Sequence, residues 1–462
     1  MGATCVLASH PRIAPRRRVV ILKPVLSRGE AYGLLAALAA LVIVNVPELG
    51  SQAWPFRPPT VDPTGPLAPL VRAAGEEWDV DVVRAPGILA GLLVALVAAG
   101  AWRVRSWRAS AAVALSVAVL LLLLVPAVLL QVGLREASEP WLHTNDSTYQ
   151  IELGGERVLE GHTPYGFDYR GTDLDRFYPA VGAPVRPVAL DHFAYFPGTP
   201  LTAAAWRLLP GPLDDYRIFV LLATLATFFA VLLFRAPLAW KLAAGAALAG
   251  SPLAVRAAWF GTADAPSILA LVIAFALVTR SRYVAAAAAL GVAVLLKQFA
   301  LVAVPFLAVM LLTRRVPRET LWRSALVLGG VVAVGALPFA VADSGALWDD
   351  TIAYGAETYR IIGYGLAGLL LRAGILDNRF GSYPFLLLVV ILWVPLTAWL
   401  LVNQLRARLL WVGAAGFATS IFVLLFLARV FQSSYLVWPL AGVTVAALLA
   451  AAERAGRRGA SA

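Results

Sequence analysis

Twelve stretches of this chain are apolar for long enough to approach a membrane crossing, and that feature limits the fold before any other. They lie near 31–48, 87–102, 109–133, 216–234, 240–255, 265–279, 283–297, 299–313, 322–341, 383–402, 409–428 and 434–452. Crossing roughly 30 Å of hydrocarbon at 1.5 Å rise per residue takes about 20 residues. Inside lipid every backbone amide and carbonyl must find its partner within the protein, so such segments become helices. The expected fold is therefore an all-α polytopic membrane protein of about twelve transmembrane helices. Residues 361–375 are also apolar, but Gly363, Gly365 and Gly368 interrupt them, and the stretch reads as interfacial or re-entrant. Only 14% of residues are charged, against about a quarter in soluble domains. That is too few to cover a water-facing surface, which excludes a soluble enzyme, a disordered chain and a nucleic-acid-binding domain.

Loop charges set the expected orientation. With both termini cytoplasmic, 22 of the 38 basic residues fall on the inner side, among them Arg12, Arg16–Arg18, Lys23, Arg103, Arg105, Arg314 and Arg315. Only Glu30, Glu319 and Glu453 oppose them there. The net charge of +11 is thus a topology signal for the cell membrane, with anionic lipid headgroups as its partner and no nucleic acid. The basic run before residue 31 precedes a full-length apolar segment with no small-residue cleavage site, which reads as an uncleaved anchor. Cys5 is the single cysteine, so no disulfide within the chain and no thiolate metal site can form. The expected organisation is a basic cytoplasmic amino terminus (1–30), an added transmembrane hairpin (31–108), a transmembrane core (109–452) and a cytoplasmic tail (453–462).

Loop lengths point to the site. Inner loops are mostly two to nine residues, whereas 49–86, 134–215 and 342–382 are long outer stretches. The first is proline-rich (Pro55, Pro58, Pro59, Pro63, Pro66, Pro69) and shows no cluster of reactive groups. The loop 134–215, between the third and fourth helices, carries His143, His162 and His192 among many aromatic residues. Long loops in compact proteins are usually functional or disordered, and aromatic richness argues against disorder. The chemistry is placed there, on the outer face.

Within that loop, Trp141-Leu-His-Thr-Asn-Asp-Ser-Thr-Tyr149 sets Asp146 roughly one to four helical turns beyond the membrane boundary. Asp146 admits two readings: a general base among aromatic residues, or a helix cap shared with Asn145 and Ser147. The helix that follows runs through Tyr149–Leu159, its Ile151, Leu153, Val158 and Leu159 suiting a membrane surface, and ends at Gly161 before Pro164. Lys297-Gln298 interrupts the apolar stretch Val292–Val304. A charge at depth costs about 2.5–3.5 kcal/mol, so Lys297 either faces a cavity and binds an anion or snorkels to headgroups. Arg256, Arg360 and Arg429 are further candidate phosphate ligands or interfacial anchors. Asp264 is expected to pair with Arg256 or to cap a helix. Tyr354, Tyr359 and Tyr364 suit a substrate groove or an aromatic belt. Asp168, Asp173 and Asp175 could hold a divalent ion or form a solvated loop; no cofactor is indicated.

Asp146, Tyr149, Gly161, Pro164 and Tyr165 resemble the D-x-x-Y…G-x-x-P-Y stretch of membrane glycosyltransferases of the C fold class (GT-C). Tyr195-Phe-Pro…Pro200-Leu resembles their following Y-x-P…P-L stretch. The nearest set is the polyprenol-phosphate-mannose-dependent mannosyltransferases of actinobacteria, glycosyltransferase family 87. The resemblance covers about 140–210 and is weaker over 255–305. It implies a GT-C-like fold and an acidic residue, here Asp146, that activates the acceptor hydroxyl. It also implies a polyprenyl-phosphate sugar donor, mannose as the sugar, and a glycan or glycolipid acceptor of the cell envelope. In that family the loop follows the first helix; here two helices precede the equivalent one. Some relatives also use a histidine in a late outer loop, and this chain has none after His192.

Together these readings give a displacement at the anomeric carbon, with Asp146 as base and a cation, Lys297, on the departing phosphate. The substrate-binding candidates are Tyr149, His162, Tyr165, Tyr195, Arg256, Asp264, Lys297, Gln298, Arg360 and Arg429. The alternative class is a polytopic transporter or lipid flippase, against which stand the lack of an internal repeat and the crowding of polar residues at the outer boundary.

Overall fold

A computed structural model describes residues 25–49, 58–74, 81–104, 106–178, 188–358 and 360–461. Cys5, Arg12, Arg16–Arg18, Lys23, Pro55, Arg105 and Tyr359 lie outside the described residues. The chain forms an all-α, multi-pass membrane protein. Its first helices are α1 (Arg28–Asn45), α2 (Ala68–Ala73), α3 (Asp81–Ala101) and α4 (Ala109–Glu136). The long loop holds α5 (Asp146–Leu159) and α6 (Gly198–Trp206). Then come α7 (Tyr216–Val231), α8 (Leu238–Gly250), α9 (Pro252–Phe260), α10 (Asp264–Thr279), α11 (Tyr283–Leu296) and α12 (Ala303–Thr313). The last third holds α13 (Arg318–Trp348), α14 (Leu366–Arg372), α15 (Phe385–Leu388), α16 (Val394–Ala407), α17 (Leu410–Leu427) and α18 (Val437–Ser461).

Every one of the twelve apolar stretches is helical. Among the described residues seven helical stretches are long and apolar enough to cross a membrane alone, while α7, α10, α11 and the run Gln298–Thr313 are shorter. The stretch read as one span over 240–255 is two helices, α8 and α9, bent by 42°. The cause is local: Ser251 takes the Ala254 amide as a cap, and Pro252 occupies the first helical position. α18 continues as helix through Ser461, past the expected boundary at 452.

A two-stranded antiparallel ribbon, β1 (Val25–Ser27) with β2 (Ser106–Arg108), ties the start of α1 to the start of α4. α4 has 28 residues, so its far end lies about 42 Å away. There the loop 134–215 packs. The first core joins α1, α3 and α4 with α8 and α9. A second joins α10, α11 and α12 with α17 and α18. α13 and α16 stand at the rim, with Leu326, Val334, Leu337, Val341 and Trp399 exposed, as suits helices whose solvent is hydrocarbon.

The stretch 361–375 neither spans nor floats. Ile362–Gly363 (β3) pairs in parallel with Val430–Phe431 (β4). Gly363 has φ +86°, and a Cβ there would meet the Phe431 carbonyl oxygen at 1.9 Å. The glycines that break the apolar pattern thus let this loop seat on the α17–α18 connection.

α5 turns part of its apolar face to the protein. Its Ile151 is fully buried and Leu159 is exposed. α5 packs along α6 so closely that a Cβ on Gly155 would meet the Ala203 carbonyl carbon and Ala204 nitrogen at 2.8 Å. A buried ion network holds this layer to the bundle. Arg135 of α4 contacts Glu152 of α5 at 2.5 Å and Asp215 at 3.1 Å. Asp215 also pairs with the fully buried Arg217 at 2.6 Å. Burial opposes the Asp215 charge, but the Arg217 and Arg135 guanidiniums outweigh it and hold the carboxyl well below its usual range.

Two outcomes follow for thermal unfolding in detergent. Gly155→Ala should lower the midpoint, at a cost of about 1–3 kcal/mol from backbone overpacking. Gly329→Ala, where nothing lies within 4 Å, should not lower it. Asp215→Asn should cost about 3–5 kcal/mol, because the fully buried Arg217 loses the carboxylate it pairs with, while Arg135 keeps Glu152. Since the folded Asp215 is more acidic than the unfolded, its contribution is present above the ordinary carboxylate range and is lost as pH falls through its depressed value. The mutant's deficit should therefore persist at neutral pH and close only in strong acid.

Candidate active site

The site is built where helix ends meet the two long segments. At the start of α5, Asn145 is the cap: its side chain accepts the Thr148 amide at 2.9 Å. Its amide nitrogen donates to the Phe260 carbonyl, and Thr148 Oγ1 donates to the Gly261 carbonyl at 2.5 Å. The end of α9 thereby fixes α5 in place. Because Asn145 does the capping, the Asp146 side chain is left for other contacts. Its Oδ1 accepts the Ser147 amide at 2.9 Å, and its Oδ2 accepts the Tyr178 hydroxyl at 2.6 Å.

The Tyr195-Phe-Pro-Gly-Thr segment docks on the end of α11. Thr199 Oγ1 donates to the Leu296 carbonyl at 2.6 Å. Buried Tyr165 donates its hydroxyl to the Tyr195 carbonyl at 2.8 Å. α11 stops at Leu296, and Lys297 turns extended (φ −152°, ψ 126°). Its ammonium lies 3.4 Å from Asp264 Oδ1, and over the Tyr195 and Phe299 rings at 5.3 and 5.4 Å. Asp264 is buried and also accepts the Trp438 indole N–H at 2.9 Å. Gln298 donates to the carbonyls of Ala194 and Thr351, each at 3.3 Å, joining the two long segments.

These groups share a cavity of about 600 Å³. Asp146, Gln150, Tyr178, Asp264, Lys297 and Gln298 line its polar part. Leu301, Val302 and Pro305 beside α12, and Phe385, Leu386, Val389 and Trp393 leading into α16, line an apolar part. Two π-helical turns, Asp349–Thr358 and Val389–Trp393, contribute walls; such turns recur at functional sites.

The cavity thus gathers Asp146, Tyr195, Asp264, Lys297, Gln298 and Tyr354 from the sequence candidates. Others stand elsewhere. Asp264 does not pair with Arg256; its partners are Lys297 and Trp438, because the turn at Gly261 separates α9 from α10. Arg256 and the exposed Arg360 are outside the lining. Arg429 is buried and donates to the Gly381 carbonyl at 3.1 Å. His162 is exposed, 3.9 Å from Glu160. Tyr149 is buried beside Phe177 and under Arg135, and burial pushes its hydroxyl up to about 12. Tyr364 packs on Phe431. Asp168 pairs with Arg170, Asp175 accepts the Gly171 amide, and Asp173 lies 3.8 Å from Arg176. Among the described residues no group of three or more His, Cys, Asp or Glu is placed to hold a metal ion.

Sequence reasoning did not single out Tyr178, Gln150, Trp438 or Asp350. Asp350 Oδ1 meets His192 Nδ1 at 2.7 Å, and Oδ2 accepts the Gly166 and Phe193 amides at 2.9 and 3.1 Å. This buried carboxylate pins the loop 134–215 to the end of α13. Its separation from His192 by 158 residues leaves no local signal.

No protein-family model matches the chain, and no curated protein matches it. Among solved structures it is similar to the crystal structure of ArnT from Cupriavidus metallidurans bound to undecaprenyl phosphate. The identity is 21% and the TM-score 0.41, over 67% of this chain and 56% of that one. The match spans little more than half of the ArnT chain and, at that distance, does not bear on the chemistry.

Proposed function

We propose that this protein is a GT-C-type glycosyltransferase that moves a sugar from a polyprenyl-phosphate donor to a hydroxyl of a glycan or glycolipid. The observation that carries the reading is the division of one cavity. Two carboxylates, Asp146 and Asp264, and the Lys297 ammonium line its polar part, while apolar side chains such as Leu301, Val302, Phe385 and Leu386 line another. A lipid-linked phosphate sugar has the same division. Mannose as the sugar rests on the resemblance to family 87 alone. The positive-inside pattern supports cytoplasmic termini and a site on the outer face of the cell membrane.

In this mechanism Asp146 takes the proton of the acceptor hydroxyl. The hydroxyl oxygen attacks the anomeric carbon, and the bond from that carbon to the phosphate oxygen breaks. The lipid phosphate leaves with the electron pair. Lys297 stabilises the added negative charge. The described polar contact of its ammonium is Asp264 at 3.4 Å, longer than a tight charged hydrogen bond of about 2.7–2.9 Å. An ammonium has three donors, so Lys297 can engage a phosphate without leaving Asp264. One displacement inverts the anomeric centre.

The test is reconstitution in vesicles with polyprenyl-phosphate mannose and a glycan acceptor, with products read by mass analysis. Asp146→Asn should lower kcat by about 10²–10⁴-fold, while the unfolding midpoint stays near that of the wild type. Full turnover by that variant would remove the assignment. Movement of the lipid across the vesicle with no product formed would point to transport instead.

A further inference from the structure

Tyr178 belongs to none of the motifs above, yet its hydroxyl is the side-chain donor that meets Asp146. The Oη–Oδ2 distance of 2.6 Å falls in the range of hydrogen bonds from hydroxyls to charged oxygens. Both residues line the cavity. The turn that delivers Tyr178 is firmly set. Thr172 Oγ1 donates to the Tyr169 carbonyl at 2.7 Å, and the Gly171 amide donates to Asp175 Oδ2 at 2.7 Å. Leu174 is buried in the aromatic cluster of Tyr165, Tyr169 and Phe193. Phe177 meets Trp141 edge-on, ring centres 6.1 Å apart.

Resting on the transferase reading, we propose that Tyr178 is the positioning residue of the base. A carboxylate in the first turn of a helix can rotate about two side-chain bonds. Here one oxygen is held by the Ser147 amide and the other by Tyr178, so the carboxylate plane is fixed from both sides. Each carboxylate oxygen has two lone pairs, and Oδ2 keeps one for an incoming hydroxyl. A base that must be re-aimed for each turnover loses rate, because small misplacements cost about 10²-fold. The hydroxyl therefore acts on kcat through Asp146, while the ring serves packing.

Tyr178→Phe separates the two roles, since it keeps the ring. In the reconstituted reaction it should lower kcat about 10–100-fold, leaving KM for the lipid donor within about two-fold and the unfolding midpoint unchanged. Placed on Asp146→Asn, it should add no further loss. Tyr169→Phe removes a hydroxyl from the same cluster, one that donates to the Pro164 carbonyl at 3.1 Å. It should lower the midpoint and leave kcat unchanged. Wild-type kcat in Tyr178→Phe, with Asp146→Asn inactive, would overturn this inference and leave the transferase reading standing. An equal fold-loss with and without the Asp146 carboxylate would also overturn it. Full activity of Asp146→Asn would overturn both.

Discussion

Hydrocarbon offers no hydrogen bonds, so wherever a helix of this protein stops near the membrane boundary, its last carbonyls need protein donors. The donors here are side chains of the long segments. Asn145 and Thr148 serve the end of α9, Thr199 serves α11, and Tyr383 donates to the Leu427 carbonyl at the end of α17 at 2.8 Å. Each of these contacts also delivers its neighbours. Asn145 brings Asp146, Thr199 brings Tyr195, and Tyr383 brings the Phe385 wall. The cavity is the space left where several helices end together and the loop residues that satisfy them converge.

The same constraint explains why the charged groups of this region come as sets. Arg135, Glu152, Asp215 and Arg217 neutralise one another beneath α5. Asp350 in turn meets the His192 ring and accepts two backbone amides. A charge left alone at such burial costs several kcal/mol. These networks are structural first. They tie α5 and the residues around His192 to the helices beside them.

What the sequence made legible follows from range. Helices were visible because run length and apolarity are local, and Lys297 was visible because a charge interrupts such a run. Asp146 and Tyr195 were found through short motifs, and both reach the cavity. The pairing of Arg256 with Asp264 was the wrong neighbour, since eight residues of helical spacing ignore the turn at Gly261. The Ile151–Leu159 pattern of α5 is amphipathic, but it gives no sign of Glu152 meeting Arg135 or of Gly155 admitting α6. Tyr178, Trp438 and Asp350 lay beyond reach, because each meets its partner across 32, 174 or 158 residues.

Lys297 shows how one position meets opposed demands. In an apolar-walled cavity the bare ammonium would be costly, yet an ammonium drawn into a tight pair with a carboxylate would have its charge largely offset. Asp264 is itself divided between Lys297 and the Trp438 N–H, and it stands 3.4 Å from the ammonium. The Tyr195 and Phe299 rings add diffuse stabilisation of about 0.5–2 kcal/mol without consuming a hydrogen-bond donor. The charge is therefore supported from several sides and saturated by none. Such an arrangement keeps a buried ammonium stable while leaving it donors to spare.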